Sequence, residues 1–137
     1  NGVSWERVSQ TALPGDIIGL SAASEGRLYA ASPGSGILLS DDEGRTFEPV
    51  ARVDTPLTVS AAASARDVVY VGTQSGLFFS DDSGQRWQFR PLPSAGAVMV
   101  TAVNPLDAMD ITVVVVGQEG IGRVHRSEDG GTTWTAR

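Results

Sequence analysis

Ser80-Asp81-Asp82-Ser83-Gly84-Gln85-Arg86-Trp87 joins two short apolar runs, Leu77-Phe78-Phe79 before it and Trp87-Gln88-Phe89 after it. Ser and Asp side chains accept hydrogen bonds from backbone N–H groups a few residues on and hold a tight turn. Gly supplies backbone angles closed to other residues. The aromatic residue then buries a large apolar surface beside the turn. The stretch therefore reads as a hairpin connection, and none of its parts needs a substrate. Two further copies follow the same plan: Ser40-Asp41-Asp42-Glu43-Gly44-Arg45-Thr46-Phe47 and Ser127-Glu128-Asp129-Gly130-Gly131-Thr132-Thr133-Trp134. A headless fourth copy, Gly2-x-x-Trp5, opens the chain. The aromatic positions 5, 47, 87 and 134 recur at intervals of 42, 40 and 47 residues.

A period of about 40–45 residues with one β unit each is that of a propeller blade. The chain predicts three units of four strands. The first runs over Asp16–Ala23, Arg27–Ser32, Gly36–Ser40 and Thr46–Arg52; the second over Leu57–Ser64, Asp67–Gly72, Gly76–Ser80 and Arg86–Arg90; the third over Ala97–Asn104, Asp110–Gly117, Arg123–Ser127 and Thr132–Ala136. The first strands carry small residues such as Ser60-Ala61-Ala62-Ala63, which suit the crowded centre of a ring. Thr112 to Val116 is almost continuously β-branched and is expected to be buried on both faces. The fold class is thus all-β: three four-stranded antiparallel blades plus one extra N-terminal strand, Ser4–Ser9, all part of a larger or oligomeric propeller. We read residues 1–137 as a single propeller segment, with units of about 10–52, 53–91 and 92–137, and with strand 4–9 completing a neighbouring blade.

The three full copies resemble the Asp-box, or BNR repeat, of the form Ser-x-Asp-x-Gly-x-Thr-Trp. It occurs in sialidases, sortilin-type receptors, xyloglucan-degrading glycoside hydrolases and photosystem-assembly propellers. Asp129, Gly131, Thr133 and Trp134 match in full; the middle copy has Arg86 for Thr and the first has Phe47 for Trp. The resemblance spans nearly the whole chain. It implies that the box lies at the turn between a blade's third and fourth strands, away from the ligand face. Ser40, Asp42, Gly44, Phe47, Ser80, Asp82, Gly84, Trp87, Ser127, Asp129, Gly131, Trp134 and Trp5 are then structural. A ligand is expected instead at the strand 2–3 loops, Pro33–Gly36, Thr73–Gly76 and Gln118–Gly122, with Ser35, Gln74, Gln118 and Glu119 on them and Arg90 nearby.

Catalytic chemistry finds little support. His125 is the only histidine and cysteine is absent, which excludes a His/Cys zinc site. The boxes lack the alternating acids and distal Glu of a calcium loop. Pro33-Gly34-Ser35-Gly36 sits between strands and opens no helix, so it reads as a turn and not as a phosphate loop. Tyr29 and Tyr70 recur at equivalent second-strand positions, which points to repeated packing. The sialidase resemblance carries over no catalytic arginine, because no Arg-Ile-Pro segment is present. Candidate acids outside the boxes, Asp16, Asp54, Asp110 and Glu119, are not paired by any pattern, whereas glycosidases need two carboxyls at a defined separation. The third unit alone has longer connections, Asn104–Asp110 and Gln118–Gly122, which mark either loop drift or a grafted function.

Net charge is −6 and the isoelectric point near 4.6, which argues against nucleic acid or an anionic membrane surface as partner. All basic residues are arginine. No apolar run approaches a membrane span. With no signal peptide and no initiator Met, the chain reads as a mature product or an excised piece, and a secreted or periplasmic location is favoured. The expected function is a non-catalytic scaffold or binding module for a protein or glycan, without cofactor or metal. The alternative is a fragment of a sialidase-like or other glycoside hydrolase propeller. Known rings use about 4–8 blades, so three units cannot close one alone. The missing blades come from a longer parent chain, towards which the reading leans, or from a second copy that makes six. In the second case Thr132–Ala136 already fills the place that a partner's Ser4–Ser9 would claim.

Overall fold

The computed structural model describes every residue except 1, 10, 11, 14, 54, 64 and 65, so Asp54, the end of the expected Leu57–Ser64 strand and part of the expected 10–52 unit lie outside the described residues. Twelve strands among the described residues form three four-stranded antiparallel sheets. Sheet 1 comprises β1 (Gly19–Ala22), β2 (Leu28–Ser32), β3 (Gly36–Ser40) and β4 (Glu48–Ala51). Sheet 2 comprises β5 (Pro56–Ala62), β6 (Val68–Thr73), β7 (Leu77–Ser80) and β8 (Gln88–Arg90). Sheet 3 comprises β9 (Ala97–Asn104), β10 (Asp107–Val116), β11 (Gly122–Ser127) and β12 (Thr135–Ala136). In each sheet the strands lie in chain order, so every connection is a hairpin.

The register makes the three sheets superposable position by position. Ser40 pairs with Leu28, Ser80 with Val69, and Ser127 with Ile111. Tyr29, Tyr70 and Thr112 are therefore counterparts, as are Ser21, Ser60 and Ala102 in the first strands. The apolar residues gather into two cores, one at each junction between sheets. Tyr29, Ala31, Ile37, Val59, Val69 and Val71 fill the space between sheets 1 and 2. Tyr70, Leu77, Phe79, Val98, Ile111, Val113 and Val115 fill that between sheets 2 and 3. Burying such a face against its neighbour is what a side-by-side repeat requires.

Ser4–Ser9 joins none of the three sheets, and Trp5 is 92% exposed. The outer position of each sheet is taken by β4, β8 or β12, so this segment has no ladder partner within the three blades. The local geometry of the headless copy is that of the others: Gly2 has φ +64° and the Trp5 ring folds back over it, 3.9 Å from where a Cβ would sit. Two expectations are corrected. The first concerns Thr112–Val116. Only Val113 and Val115 are buried; Thr112, Val114 and Val116 are half-buried, because that side of sheet 3 has no sheet against it. Second, the long Asn104–Asp110 connection is mostly strand. Asn104 pairs with Asp107 across a two-residue turn, and the surplus length is a bulge between Asp107 and Ile111.

Candidate functional site

The three box turns share one hydrogen-bond plan. The serine hydroxyl donates to the aspartate two residues on and accepts the N–H of the box glycine. Ser40 Oγ lies 2.8 Å from Asp42 Oδ1 and 2.9 Å from Gly44 N. Ser80 repeats this with Asp82 and Gly84 at 2.9 and 2.9 Å, and Ser127 with Asp129 and Gly131 at 2.8 and 2.7 Å. The aspartate then accepts both the N–H and the side chain of the residue four on: Thr46 Oγ1 at 2.6 Å, Arg86 Nε at 2.9 Å, Thr133 Oγ1 at 2.6 Å. Donors on the charged form hold each carboxyl at about 2, against an ordinary 3.8; the largest cause is the Thr46 hydroxyl for Asp42, the Arg86 side chain for Asp82 and the Thr133 hydroxyl for Asp129. Two successive left-handed residues close each turn, with φ of 60° and 88° at Glu43–Gly44, 61° and 84° at Ser83–Gly84, and 68° and 85° at Gly130–Gly131. A Cβ on Gly131 would sit 3.2 Å from both Trp134 and Arg90, so glycine is needed there twice over, for angle and for space.

The second and third boxes also seat on the sheet before them. Gly84 lies against Val50 and Tyr29 of sheet 1, and Gly131 against Arg90 of sheet 2. The Arg90 backbone pairs with Leu77, directly after the Thr73–Gly76 loop, while its side chain runs towards the next box. Its guanidinium stacks 4.5 Å above the Phe79 ring, under the next box, because the outer strand of one sheet is the floor for the following turn.

At the opposite end the expected loop residues do converge in part. Gln74 and Gln118 line one groove of about 550 Å³ with Leu57, Met99 and Gly117, between the inner strands of sheets 2 and 3. Gln118 and Glu119 share a smaller recess of about 230 Å³ with Ser94, Ile121 and Arg123. Ser35 stands apart, in a recess of about 420 Å³ with Pro49, Arg52 and Val53. A further recess of about 580 Å³ lies on the box side, lined by Glu25, Arg27, Asp41 and Gln85. Its charges face each other, since Arg27 bridges Glu25, Asp41 and Asp67, and so they offer little to a ligand.

His125 is buried, with Nε2 3.3 Å from Ser94 Oγ and no partner at Nδ1. Asp110 is held by Arg126 through two bonds of 2.8 and 2.9 Å and by Asn104 at 3.0 Å; the Arg126 side chain, then Asn104, bring its carboxyl to about 2. Glu119 lies at the other end of β10, on the order of 20 Å of strand away. That is far beyond the reach of a glycosidase pair, about 5–9.5 Å. Sequence reasoning missed Asp67. This fully buried carboxylate accepts from Arg27 Nη1 at 2.7 Å, Tyr29 OH at 3.2 Å, Ser24 N at 3.3 Å and the Ser24 hydroxyl. The repeated tyrosine was the available signal, since a buried phenol needs an acceptor.

The chain adopts a β-propeller fold. It is similar over 99% of its length to an ancestral GH74 enzyme, at TM-score 0.74 and 20% identity, and spans 20% of that chain. It is similar over 88% to YCF48 bound to D1 peptide, at TM-score 0.71 and 19% identity, spanning 40% of that chain. The GH74 xyloglucanase from Xanthomonas campestris matches over 81%, at TM-score 0.59 and 21% identity, and the chain spans 18% of it. Each sheet is thus a blade, and the three make part of a larger ring. No family model matches the chain. No curated protein matches it.

Proposed function

We propose that this chain is a non-catalytic Asp-box propeller segment whose strand 2–3 loop face binds a protein or glycan partner. Residues 1–137 form one segment of three units, about 10–52, 53–91 and 92–137, and the boxes of each unit are structural. One observation carries the reading: the groove that joins Gln74 and Gln118 to Leu57 and Met99. It offers two neutral amides for hydrogen bonding beside aliphatic and thioether surface, the mixture typical of binding clefts. Amides of this kind read the backbone of an extended peptide or the hydroxyls of a sugar without needing charge. The likeness to a peptide-bound YCF48 favours a peptide.

A phage-displayed peptide library and a glycan array, read in parallel, test this. Ligands captured by the native chain are expected to be lost by Met99→Glu and by Gln118→Arg. Capture that survives both substitutions places the site elsewhere.

A second reading, a piece of a glycoside hydrolase propeller, draws support from the likeness to two GH74 proteins. Turnover of any fluorogenic glycoside, abolished by Glu119→Gln or Asp16→Asn, decides in its favour.

A further inference from the structure

Blade 3 departs from the repeat at three places, and all three meet at one recess. The first is the strand 2–3 loop. In blade 2, Thr73 N donates to the Gly76 carbonyl, three residues on. In blade 3, Gly117 N donates to the Ile121 carbonyl, four residues on, and Gly120 N closes a second turn on the Gly117 carbonyl at 3.0 Å. The surplus length is therefore an ordered turn that carries Gln118, Glu119 and Ile121.

The second departure is His125. By register its counterparts are Leu38 and Phe78, each two residues before the box serine. Across the strand pair it stands beside Val113, on the side of sheet 3 that faces the core shared with sheet 2. Blades 1 and 2 place an apolar side chain there, whereas blade 3 buries an imidazole, 5% exposed. Its Nδ1 has no partner, and its Nε2 meets Ser94 Oγ at 3.3 Å. A buried polar ring that is only half satisfied costs free energy. A repeat that breaks its own pattern at a cost marks a functional position. What the imidazole holds is Ser94, and Ser94 lines the recess of about 230 Å³ beside the longer loop.

The third departure is Arg123, four residues before the box serine, where blades 1 and 2 have Gly36 and Gly76. Arg123 and Glu119 line the same recess. Neither side chain forms an ion pair or a hydrogen bond among the described residues, whereas Arg27 and Arg126 each meet nearby acids. Val115 and Ile121 add aliphatic wall. An arginine fork receives a carboxylate or a phosphate. Glu119 in the same recess repels a doubly charged phosphate and favours a ligand that carries a cation as well. The volume lies below the about 300–1,000 Å³ of pockets for drug-sized molecules, so the ligand is small.

We infer that this recess binds a small aliphatic zwitterion, a free α-amino acid of the valine type. Its carboxylate meets Arg123 and the Ser94 hydroxyl, its ammonium meets Glu119, and its side chain lies against Val115 and Ile121. His125 acts as a positioning residue that orients the Ser94 hydroxyl. The recess adjoins the Gln74–Gln118 groove, and its ligand is separate from the partner proposed for that groove.

Nuclear magnetic resonance on the whole chain tests the assignment. His125 is the only histidine, so its imidazole gives a single set of signals. L-Valine is expected to shift them saturably, with a dissociation constant of about 1 mM or tighter. Isovalerate lacks the ammonium and isobutylamine lacks the carboxylate; each is expected to bind at least about tenfold more weakly. Arg123→Gln and Glu119→Gln change exposed side chains, leave the fold standing and should each weaken valine binding by a similar factor. In Ser94→Ala, valine should still bind, more weakly, as read from the Ile121 methyl signal, while the His125 signals no longer respond. Four results each overturn the inference: no saturable shift at about 10 mM valine, a truncated analogue that binds as tightly as valine, a charge variant with native affinity, or a native His125 response in Ser94→Ala.

Discussion

The two internal seams occupy equivalent positions and are held by different chemistry. Between blades 1 and 2, Tyr29 donates to the buried Asp67, which also gathers Arg27 and Ser24. Between blades 2 and 3, Tyr70 donates at 2.8 Å to the backbone carbonyl of Ala108, and no carboxylate is involved. Met109 stands where Asp67 would, and Arg90 is spent on the Phe79 ring instead of an acid. The groups that reach across, a second-strand tyrosine that donates and a first-strand serine that accepts a backbone N–H, are held constant, while the group that receives the tyrosine is free to vary. The lesson is that a repeat preserves what reaches across a seam more strictly than what receives it, because a backbone carbonyl can substitute for a side chain but nothing in the backbone can substitute for a long phenol.

The sharpest way to break the comparison is to remove each tyrosine. Tyr70→Ala empties a fully buried site in the core between sheets 2 and 3, beside Phe79 at 5.3 Å, and should cost about 3–5 kcal/mol in chemical denaturation. Tyr29→Ala should fall in the same range. A cost below ~1 kcal/mol at either position would show that the seam is held elsewhere.

Next in size is Asp67→Ala. It leaves Tyr29 OH and Ser24 without their acceptor, while Arg27, 24% exposed, can turn to Glu25, Asp41 and water. The expected loss is about 2–3 kcal/mol, with no parallel in the second seam, where Met109→Ala removes only apolar contact. Tyr29→Phe and Tyr70→Phe should each cost about 1 kcal/mol. The first is expected to be the larger, since it leaves a charged group less satisfied. Equal values would remove the distinction between the seams.

The boxes allow a finer test. Asp42, Asp82 and Asp129 have folded-state values near 2, below the ordinary 3.8. Their stabilisation is therefore complete above pH 3.8 and is lost as pH falls through about 2. Denaturation midpoints should decline in that window, and Asp129→Asn should flatten the decline. A midpoint independent of pH over the same range would refute the assignment of these bonds. The smallest effect expected is from Arg86→Thr. Box 2 uses the Arg86 guanidinium where boxes 1 and 3 use a threonine hydroxyl, with the same geometry at the aspartate. The melting temperature should move by no more than about 2 °C, and its salt dependence should diminish.

The turns and strand order were legible because their chemistry is local. Ser80, Asp82 and Gly84 meet within four residues of one another, so the sequence displays the whole contact. The strands missed their expected bounds at the box ends, where Thr132–Trp134 are consumed by the turn and β12 begins at Thr135, and also at β1, which begins at Gly19 and not Asp16, and at β10, which begins at Asp107 and not Asp110. Asp67 was illegible for the opposite reason: its partners lie some 40 residues away, across a seam. The Arg90 side-chain contacts were illegible because they are made with the next box, which lies on it from another blade. The candidate groove was half visible. Gln74 and Gln118 belong to equivalent loops and do meet in one cleft, but Ser35, on the third such loop, does not join them.

The left-handed pair that closes every box has a consequence for the order of folding. Its hydrogen bonds span four residues or fewer, and a turn of that kind forms on the microsecond timescale of a hairpin. The seams require closure of loops some forty residues long and come later. Each β3–β4-type hairpin can thus be present at the transition state while the seams are still open. Substitutions in the boxes should slow refolding, whereas loss of Tyr29 or Tyr70 should leave the refolding rate nearly untouched and appear as faster unfolding. The propeller segment would then come apart along its seams first and lose its turns last.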